Sequence, residues 1–163
     1  MKIQLKPLQL SDANTLYDFF QEMPASENGK KNGAHGLSKE DFANNRNLPE
    51  GYVPGTTFVM YVDGTPVGIS NLRHYLNKKL EQDGGHIGTH ILPKYRGQGY
   101  GNIIKLETLK KAKEMGIKQV LIFNHDDNIP AWRTSEKMGG KLDSINIVNG
   151  IKTRKYVFDT SKL

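Results

Sequence analysis

Residues 91–101 read Ile-Leu-Pro-Lys-Tyr-Arg-Gly-Gln-Gly-Tyr-Gly, and they decide how the whole chain is interpreted. An apolar, strand-like run over residues 87–92 stops at Pro93, and a helical pattern begins at Asn102. The glycines in this stretch leave backbone N–H groups uncovered by side chains and permit left-handed conformations. The helix start adds its own unsatisfied N–H groups and the positive end of its dipole. Strand, glycine turn and helix together predict a phosphate-binding site, to which Arg96 adds a positive charge.

The glycine turn does not match two common nucleotide-binding motifs. It lacks the G-x-x-x-x-G-K-[ST] pattern of a Walker loop. It reads G-x-G-x-G rather than G-x-G-x-x-G, and residues 117–124 contain no acidic side chain for a ribose; the first acid is Asp126. Both a P-loop fold and a dinucleotide-binding fold are therefore disfavoured.

The spacing Arg96-x-x-Gly99-x-Gly101 resembles the [R/Q]-x-x-G-x-[G/A] acetyl-CoA signature of the GNAT superfamily of N-acetyltransferases. The similarity covers roughly residues 84–142. Residues 85–93 resemble the family's fourth strand, 102–115 its main helix and 117–124 its fifth strand. Asp127-Asn128 and the run Glu136-Lys137-Met138-Gly139-Gly140 resemble the start and end of the next helix.

The resemblance implies an α/β fold of the α+β type. We expect a mixed, mostly antiparallel central sheet of about seven strands flanked by about four helices. We also expect a V-shaped split between the family's fourth and fifth strands. Residues 1–83 fit the family's order of elements without carrying a specific motif.

Several local patterns place individual elements. Asp63-Gly64 predicts a hairpin between strands over 56–62 and 66–74, and Asn149-Gly150 predicts another before a last strand. Residues 24–37 read as a loop that borders the acceptor pocket, a short helix is expected over 38–47, and 76–85 reads as a polar connector. After the glycine turn, the apolar stripe of the helix contains Ile104, Thr108, Ala112 and Met115, widened by Leu106 and Leu109.

The amino-acid composition limits the classes of protein to which the chain can belong. The 163 residues predict a single domain over 1–163, and no run is apolar and long enough to cross a bilayer. With no cysteine, a disulfide framework and a zinc–thiolate site are excluded, and we expect a cytoplasmic protein. The net charge of +6 favours an anionic cofactor, but the lysine pairs are scattered, so neither nucleic acid nor a membrane is expected as a partner.

The resemblance also implies where acetyl-CoA, the expected co-substrate, binds. The pyrophosphate would lie on the N–H groups from Arg96 to Asn102, and the pantetheine arm beside the end of the preceding strand. The Ile91 N–H is the candidate contact for the thioester carbonyl. Asn128 matches the family asparagine that binds the arm, with a plain helix cap as the alternative. The cofactor-binding set is therefore Ile91, Leu92, Arg96, Gly97, Gln98, Gly99, Tyr100, Gly101, Asn102, Asn124 and Asn128.

The catalytic groups depart from the family pattern. Many members carry a tyrosine seven positions after the asparagine as general acid, where this chain has Ser135. Ser135 is the candidate for this role and could act only through water, with a small helix residue without a catalytic role as the alternative. Many place a glutamate at the position of Gly85; His86 beside it is the expected base, with a structural histidine as the alternative. His86 and His90 lie about 13 Å apart if the strand is extended, too far to share a metal, and no metal is expected.

The resulting functional prediction is an N-acetyltransferase that uses acetyl-CoA and a primary amine of unknown identity. The acceptor would be a small-molecule amine or a peptide amine, and homodimerisation is left open. The absent tyrosine and glutamate keep a second class in view, a non-catalytic acyl-CoA-binding sensor or regulatory module. The glycine turn serves both classes, so it does not discriminate between them.

Overall fold

The computed structural model describes residues 1–27, 30–31, 38 and 53–163. The predicted helix over 38–47 and most of the predicted loop over 24–37 lie outside the described residues. At the edges of that loop, two short strands, β2 (Ser26–Glu27) and β3 (Lys30–Lys31), form an antiparallel ribbon.

An antiparallel sheet of four strands forms the N-terminal half, in the spatial order β1-β4-β5-β6. Its strands are β1 (Ile3–Pro7), β4 (Gly55–Val62), β5 (Thr65–Arg73) and β6 (Ile87–Ile91). The hairpin between β4 and β5 turns at Asp63 and Gly64, both with positive φ, as the Asp-Gly pair predicts. Helix α1 (Ala13–Glu22) buries Leu16, Phe19 and Phe20 against this sheet.

A second antiparallel sheet, in the order β7-β9-β8, forms the C-terminal half. Its strands are β7 (Gln119–His125), β8 (Lys141–Val148) and β9 (Ile151–Asp159). Three more helices are described: α2 (Lys78–Gln82), α3 (Tyr100–Glu114) and α4 (Ile129–Lys137). Helix α2 lies within the segment that was read as a connector; Asn77 caps it, its side chain accepting the Leu80 N–H at 2.9 Å.

One apolar cluster joins the two sheets. Phe58 and Leu72 of the first sheet pack with Ile122, Tyr156 and Phe158 of the second. Ile104, Thr108, Leu109 and Ala112 of α3 are fully buried, as the helical spacing predicts. Leu106 and Met115 are 37% and 45% exposed, so the predicted stripe was wrong at these two positions, and the buried face of α3 includes Lys105 instead.

β6 and β7 meet at one end only. The His86 N–H donates to the Leu121 carbonyl at 2.8 Å, and the Leu121 N–H donates to Nδ1 of His86 at 3.0 Å. β6 pairs only with β5 and β7 only with β9 in the two ladders, and a cavity lies between β6 and β7. These two strands correspond to the family's fourth and fifth, so the predicted V-shaped split, the mainly antiparallel architecture and the seven principal strands are confirmed.

Gly85 allows this junction to form, because its backbone is left-handed (φ +62°) and an added Cβ would lie 2.4 Å from the Leu121 carbonyl oxygen. Gly85→Ala is expected to lower the free energy of unfolding by about 2–4 kcal/mol, combining backbone strain with overpacking. Gly64→Ala is the matched control: its φ is +82° but nothing lies within 4 Å of the added Cβ, so only the strain of about 1 kcal/mol applies. Equal losses in urea unfolding of the two variants would show that the close approach to Leu121 is unimportant.

Candidate active site

Five consecutive backbone amides at the start of α3 have no partner within the described chain. They are the N–H groups of residues 97–101, which donate to no described atom. The amides on either side are used internally: Arg96 donates to the Pro93 carbonyl at 3.2 Å, and Asn102 to the Gly99 carbonyl at 3.1 Å. The set of available amides is therefore narrower than the predicted span from Arg96 to Asn102. Such a run of N–H groups at a helix start is a site for an anion.

The three glycines of the turn serve different purposes. Gly97 and Gly99 have left-handed backbones, with φ of +76° and +83°, which glycine adopts without strain. Gly101 lies within α3 without a positive φ, and an added Cβ would meet no atom within 4 Å. Neither backbone strain nor packing thus requires glycine at 101. The open space beside it suits the close approach of a ligand.

The Arg96 side chain contacts protein groups rather than extending toward the free amides. Its Nη atoms donate to both carboxylate oxygens of Glu27, at 2.8 and 2.7 Å, and its Nε donates to the Ile91 carbonyl at 3.0 Å. This bidentate pair ties the glycine turn to the β2–β3 ribbon and to the end of β6. Arg96 therefore contributes positive charge near the turn, while its hydrogen bonds hold the end of β6.

A cavity of about 110 Å³ occupies the split between β6 and β7. Residues 87 and 89–91 of β6 line one side, and residues 122–125 of β7 line the other. Glu27, Arg96, Lys105, Asn128 and Ala131 complete the wall. Eight of the thirteen residues that line the cavity have polar or charged side chains, so the split is a polar cleft flanked by two sheets.

Backbone alternation turns the Ile91 amide toward this cavity. The Leu92 N–H donates to the Val67 carbonyl of β5 at 2.9 Å. Since successive residues of an antiparallel strand point their N–H and C=O groups to opposite sides, those of Ile91 point away from β5. The Leu92 side chain is buried against α1 and its amide is engaged, so of these two predicted residues Ile91 is the one that offers a backbone donor to the split.

Asn124 and Asn128 both lie on the cavity wall. Asn128 is the N-cap residue of α4, but its side chain makes no capping hydrogen bond. The helix-cap alternative for this side chain is therefore not realised. Asn124 is 8% exposed, and its Oδ1 accepts a hydrogen bond from the Ser135 hydroxyl at 2.9 Å.

Ser135, at the tyrosine position of the family, is fully buried and lies behind the cavity wall. Its hydroxyl accepts a hydrogen bond from Nζ of Lys105 at 3.0 Å. The same Nζ donates to the Ala131 carbonyl at 3.2 Å. Ser135 thus connects Lys105 to Asn124, and this position favours holding other side chains in place over direct proton transfer to a substrate.

Lys105 is the residue that sequence reasoning missed. It is 5% exposed and lines the cavity, whereas lysines on an amphipathic helix are ordinarily assigned to the solvent face. The signal was present in its spacing. Position 105 follows Gly101 by four residues and precedes Thr108 and Leu109 by three and four, which places it on the buried face of α3.

His86 is placed for a structural role. Its Nδ1 accepts the Leu121 N–H, so in the neutral ring the proton is on Nε2 and no lone pair is left to act as a base. Burial, reinforced by the charge of Arg73, lowers the pKa of His86 from 6.5 to about 4. His86 is also absent from the cavity wall, on which His90 and His125 lie instead. The geometry therefore favours the structural alternative for His86 over the expected base.

Neither a metal cluster nor a membrane-spanning helix is found in the described part of the chain. No three histidine, aspartate or glutamate side chains there converge on a common point. No helix in the same ranges has the length and apolar character needed to cross a bilayer.

The family model described as "Acetyltransferase (GNAT) family" matches residues 15–140, about three quarters of the chain. The chain therefore belongs to the GNAT family of acetyltransferases. No significant match was found among curated proteins.

Solved structures share the fold at low sequence identity. A GNAT-family acetyltransferase from Streptococcus pneumoniae superposes with a TM-score of 0.69 at 16% identity, covering 97% of this chain and 99% of the other. A dodecameric spermidine N-acetyltransferase from Vibrio cholerae gives 0.69 at 14%, covering 98% and 95%. A Salmonella typhimurium protein solved with its cofactor acetyl-CoA gives 0.64 at 11%, also covering 98% and 95%.

The structural role of His86 predicts a specific acid sensitivity. Because its folded pKa lies below its unfolded value of 6.5, the unfolded state binds the proton more tightly. This contribution to stability is complete above pH 6.5 and is lost as pH falls toward 4. In His86→Asn, the Oδ1 of the new side chain can accept the Leu121 N–H but cannot be protonated. The free energy of unfolding of this variant should therefore fall by about 2 kcal/mol less than that of the wild type between pH 7 and pH 5.

Urea unfolding of both proteins at the two pH values measures this difference. His74→Asn is the control, since it replaces a histidine outside the junction between β6 and β7. The same pH dependence in wild type and His86→Asn would exclude His86 as the source.

Proposed function

We propose that the protein is an N-acetyltransferase that transfers an acetyl group from acetyl-CoA to a primary amine by direct attack on the thioester. The observation that carries this proposal is the run of five free amides beside a cleft formed by two separated strands. The amides suit the pyrophosphate of CoA, and the cleft suits an extended arm that pairs with strand edges. Family membership supports the same reaction class.

The backbone of β6 would polarise the thioester. With its N–H turned toward β7, Ile91 can donate to the carbonyl oxygen, on which negative charge develops as the amine attacks. The Asn128 side chain, which does not cap α4, would bind the amide groups of the pantetheine arm. Asn124, fixed by Ser135, would shape the wall beside it.

The attacking amine must lose a proton, and the cavity wall offers two histidines for this step. His90 follows Thr89 on β6, and His125 ends β7. Histidine is suited to the task because its unperturbed pKa lies near neutrality. We therefore assign the base to this pair in place of His86, whose Nδ1 is already an acceptor.

The second candidate, a non-catalytic acyl-CoA-binding module, is favoured by one observation. The side chain at the tyrosine position, Ser135, is buried and absent from the cavity wall. The two candidates differ in turnover: the enzyme releases CoA thiol from acetyl-CoA in proportion to added amine, and the module does not. A panel of small amines and amino-terminal peptides, with thiol release as the readout, separates them.

The acceptor is proposed as a small-molecule amine or a peptide amine. Spermidine is the acceptor named for the Vibrio cholerae protein, but a polyamine needs carboxylates to bind its ammonium groups. On the described wall of the cavity the only carboxylate is that of Glu27, and Arg96 already pairs with both of its oxygens. The described wall thus favours an acceptor that carries one ammonium group rather than several. Location in the cytoplasm stays a prediction from composition.

A homodimer through β8 is proposed as the quaternary structure. β8 is the edge strand of its sheet, and Ile145 and Ile147 on one face of it are 42% and 68% exposed. Apolar edge strands are surfaces for pairing with another chain. Ile147→Lys should shift sedimentation toward the monomer, whereas the control Lys141→Ala should not; a wild type that is monomeric at all concentrations would exclude the dimer.

CoA binding at the turn is tested best at Gly101. Gly101→Leu should leave the fold intact, because nothing in the protein occupies the space of its Cβ, and should raise the CoA dissociation constant at least tenfold, about 1.4 kcal/mol. The control is Glu114→Leu, an exposed position at the far end of the same helix. Calorimetric titration with CoA gives the affinities, and a folded Gly101→Leu protein that binds CoA like the wild type would disprove the site.

A further inference from the structure

A lysine ammonium lies on the wall of the cleft between β6 and β7. Lys105 is 5% exposed and belongs to the buried face of α3, one turn beyond Gly101. Lysine is almost never this deeply buried unless polar partners compensate for the lost hydration. Its position therefore requires a reason beyond the packing of the helix, which an apolar residue would serve better.

The partners of Lys105 hold its charge at a defined point. Nζ donates to the Ser135 hydroxyl and the Ala131 carbonyl, both on α4, and Ser135 in turn donates to Asn124. Both Ser135 and Asn124 are buried, so this chain of hydrogen bonds is shielded from water. Electrostatic interactions of a charge fixed in such a setting are stronger than those of a surface lysine.

Lys105 contacts the position at which many family members carry their general acid. The tyrosine position is taken by Ser135, whose hydroxyl touches Nζ of Lys105 at 3.0 Å. Ser135 does not line the cavity, but Lys105 does. The Lys105 ammonium therefore lies between Ser135 and the cleft.

On the basis of the function proposed above, we propose that Lys105 is a catalytic residue whose ammonium stabilises the CoA thiolate as it leaves. The acceptor ammonium first loses one proton to solvent, which exposes the nitrogen lone pair. The amine nitrogen then bonds to the carbonyl carbon, the carbon–sulfur bond breaks, and its electron pair leaves on sulfur. A second proton passes from the nitrogen to the base on the cavity wall, which leaves an amide and a thiolate. The thiolate is held beside Lys105 and takes a proton from solvent on release, so no proton transfer from Lys105 is needed.

The pKa of the thiol of bound CoA distinguishes a catalytic Lys105 from one that only holds α3 and α4 together. A cation close to sulfur lowers a thiol pKa, whereas a tie between helices does not. The chain has no cysteine, so thiolate absorbance in the ultraviolet arises from CoA alone. The same protein bound to desulfo-CoA supplies the baseline for tyrosine ionisation.

The experiment titrates the thiol of CoA bound to wild type and to Lys105→Met, which keeps the side-chain length and removes the charge. The bound thiol pKa is expected to be at least one unit lower in the wild type than in the variant, equivalent to about 1.4 kcal/mol. With a competent acceptor, kcat of the variant should fall about 10²-fold or more, as for the loss of one electrostatic donor.

Two further variants control the interpretation. Thr134→Val removes a different hydrogen bond between α4 and α3, from Thr134 to Asn102 at 2.8 Å, and should leave the thiol pKa at its wild-type value. Lys105→Arg keeps the charge and should retain at least part of the shift in the thiol pKa. This variant also tests the proposal if Lys105→Met does not fold. Equal thiol pKa values in wild type and in a folded Lys105→Met protein overturn the role of Lys105. Failure of the wild type to bind CoA would instead contradict the proposed function.

Discussion

Two hydrogen bonds between His86 and Leu121 fix the point at which β6 and β7 begin to separate. They join the strands at one end, and beyond that point each strand pairs only with its own sheet. The imidazole acts here as part of the backbone, because its Nδ1 takes the place of a carbonyl as acceptor for the Leu121 N–H. Gly85 permits the approach, and burial keeps the ring neutral. The cleft, the direction of the Ile91 N–H and the place of Lys105 on the cavity wall all follow from where the strands part.

Charge is distributed unevenly around this cleft. The five amides at the start of α3 can receive an anionic ligand, and the buried Lys105 ammonium adds positive charge to the wall of the cleft, whereas Arg96 is held by Glu27. The arrangement suits a molecule with phosphates at one end and a sulfur that becomes negative at the other. Ser135 and Asn124 hold the Lys105 ammonium in place at the sulfur end, since both are buried and hydrogen-bonded.

The glycine turn and both hairpins could be predicted from the sequence because each depends on local rules, whereas the split was expected only from the family resemblance. A glycine in a left-handed turn, an Asp-Gly pair and a helix start are specified by neighbouring residues alone. The helix α2 was missed because its five residues carry too short a pattern, and the ribbon of β2 and β3 because two-residue strands carry none.

The roles of individual side chains could not be predicted in the same way, because they depend on contacts between distant residues. His86 is fixed by Leu121, 35 positions away, and Arg96 by Glu27, 69 positions away. Lys105 meets Ser135 only after α3 and α4 have packed, 30 positions apart. Sequence spacing located the glycine turn at the start of α3, but it could not show that Arg96 pairs with Glu27 or that a lysine is buried.

The central claim is that CoA lies along the cleft with its pyrophosphate on the free amides. Backbone amide NMR during titration with CoA tests it most directly, since it reports on each N–H group separately. We expect the largest shift changes on residues 97–101 and on Ile91, while the amide of Asn102, already bonded to Gly99, changes less. Saturable binding that leaves residues 97–101 unshifted, with the changes at the surface around Lys6 and Tyr61, would contradict it.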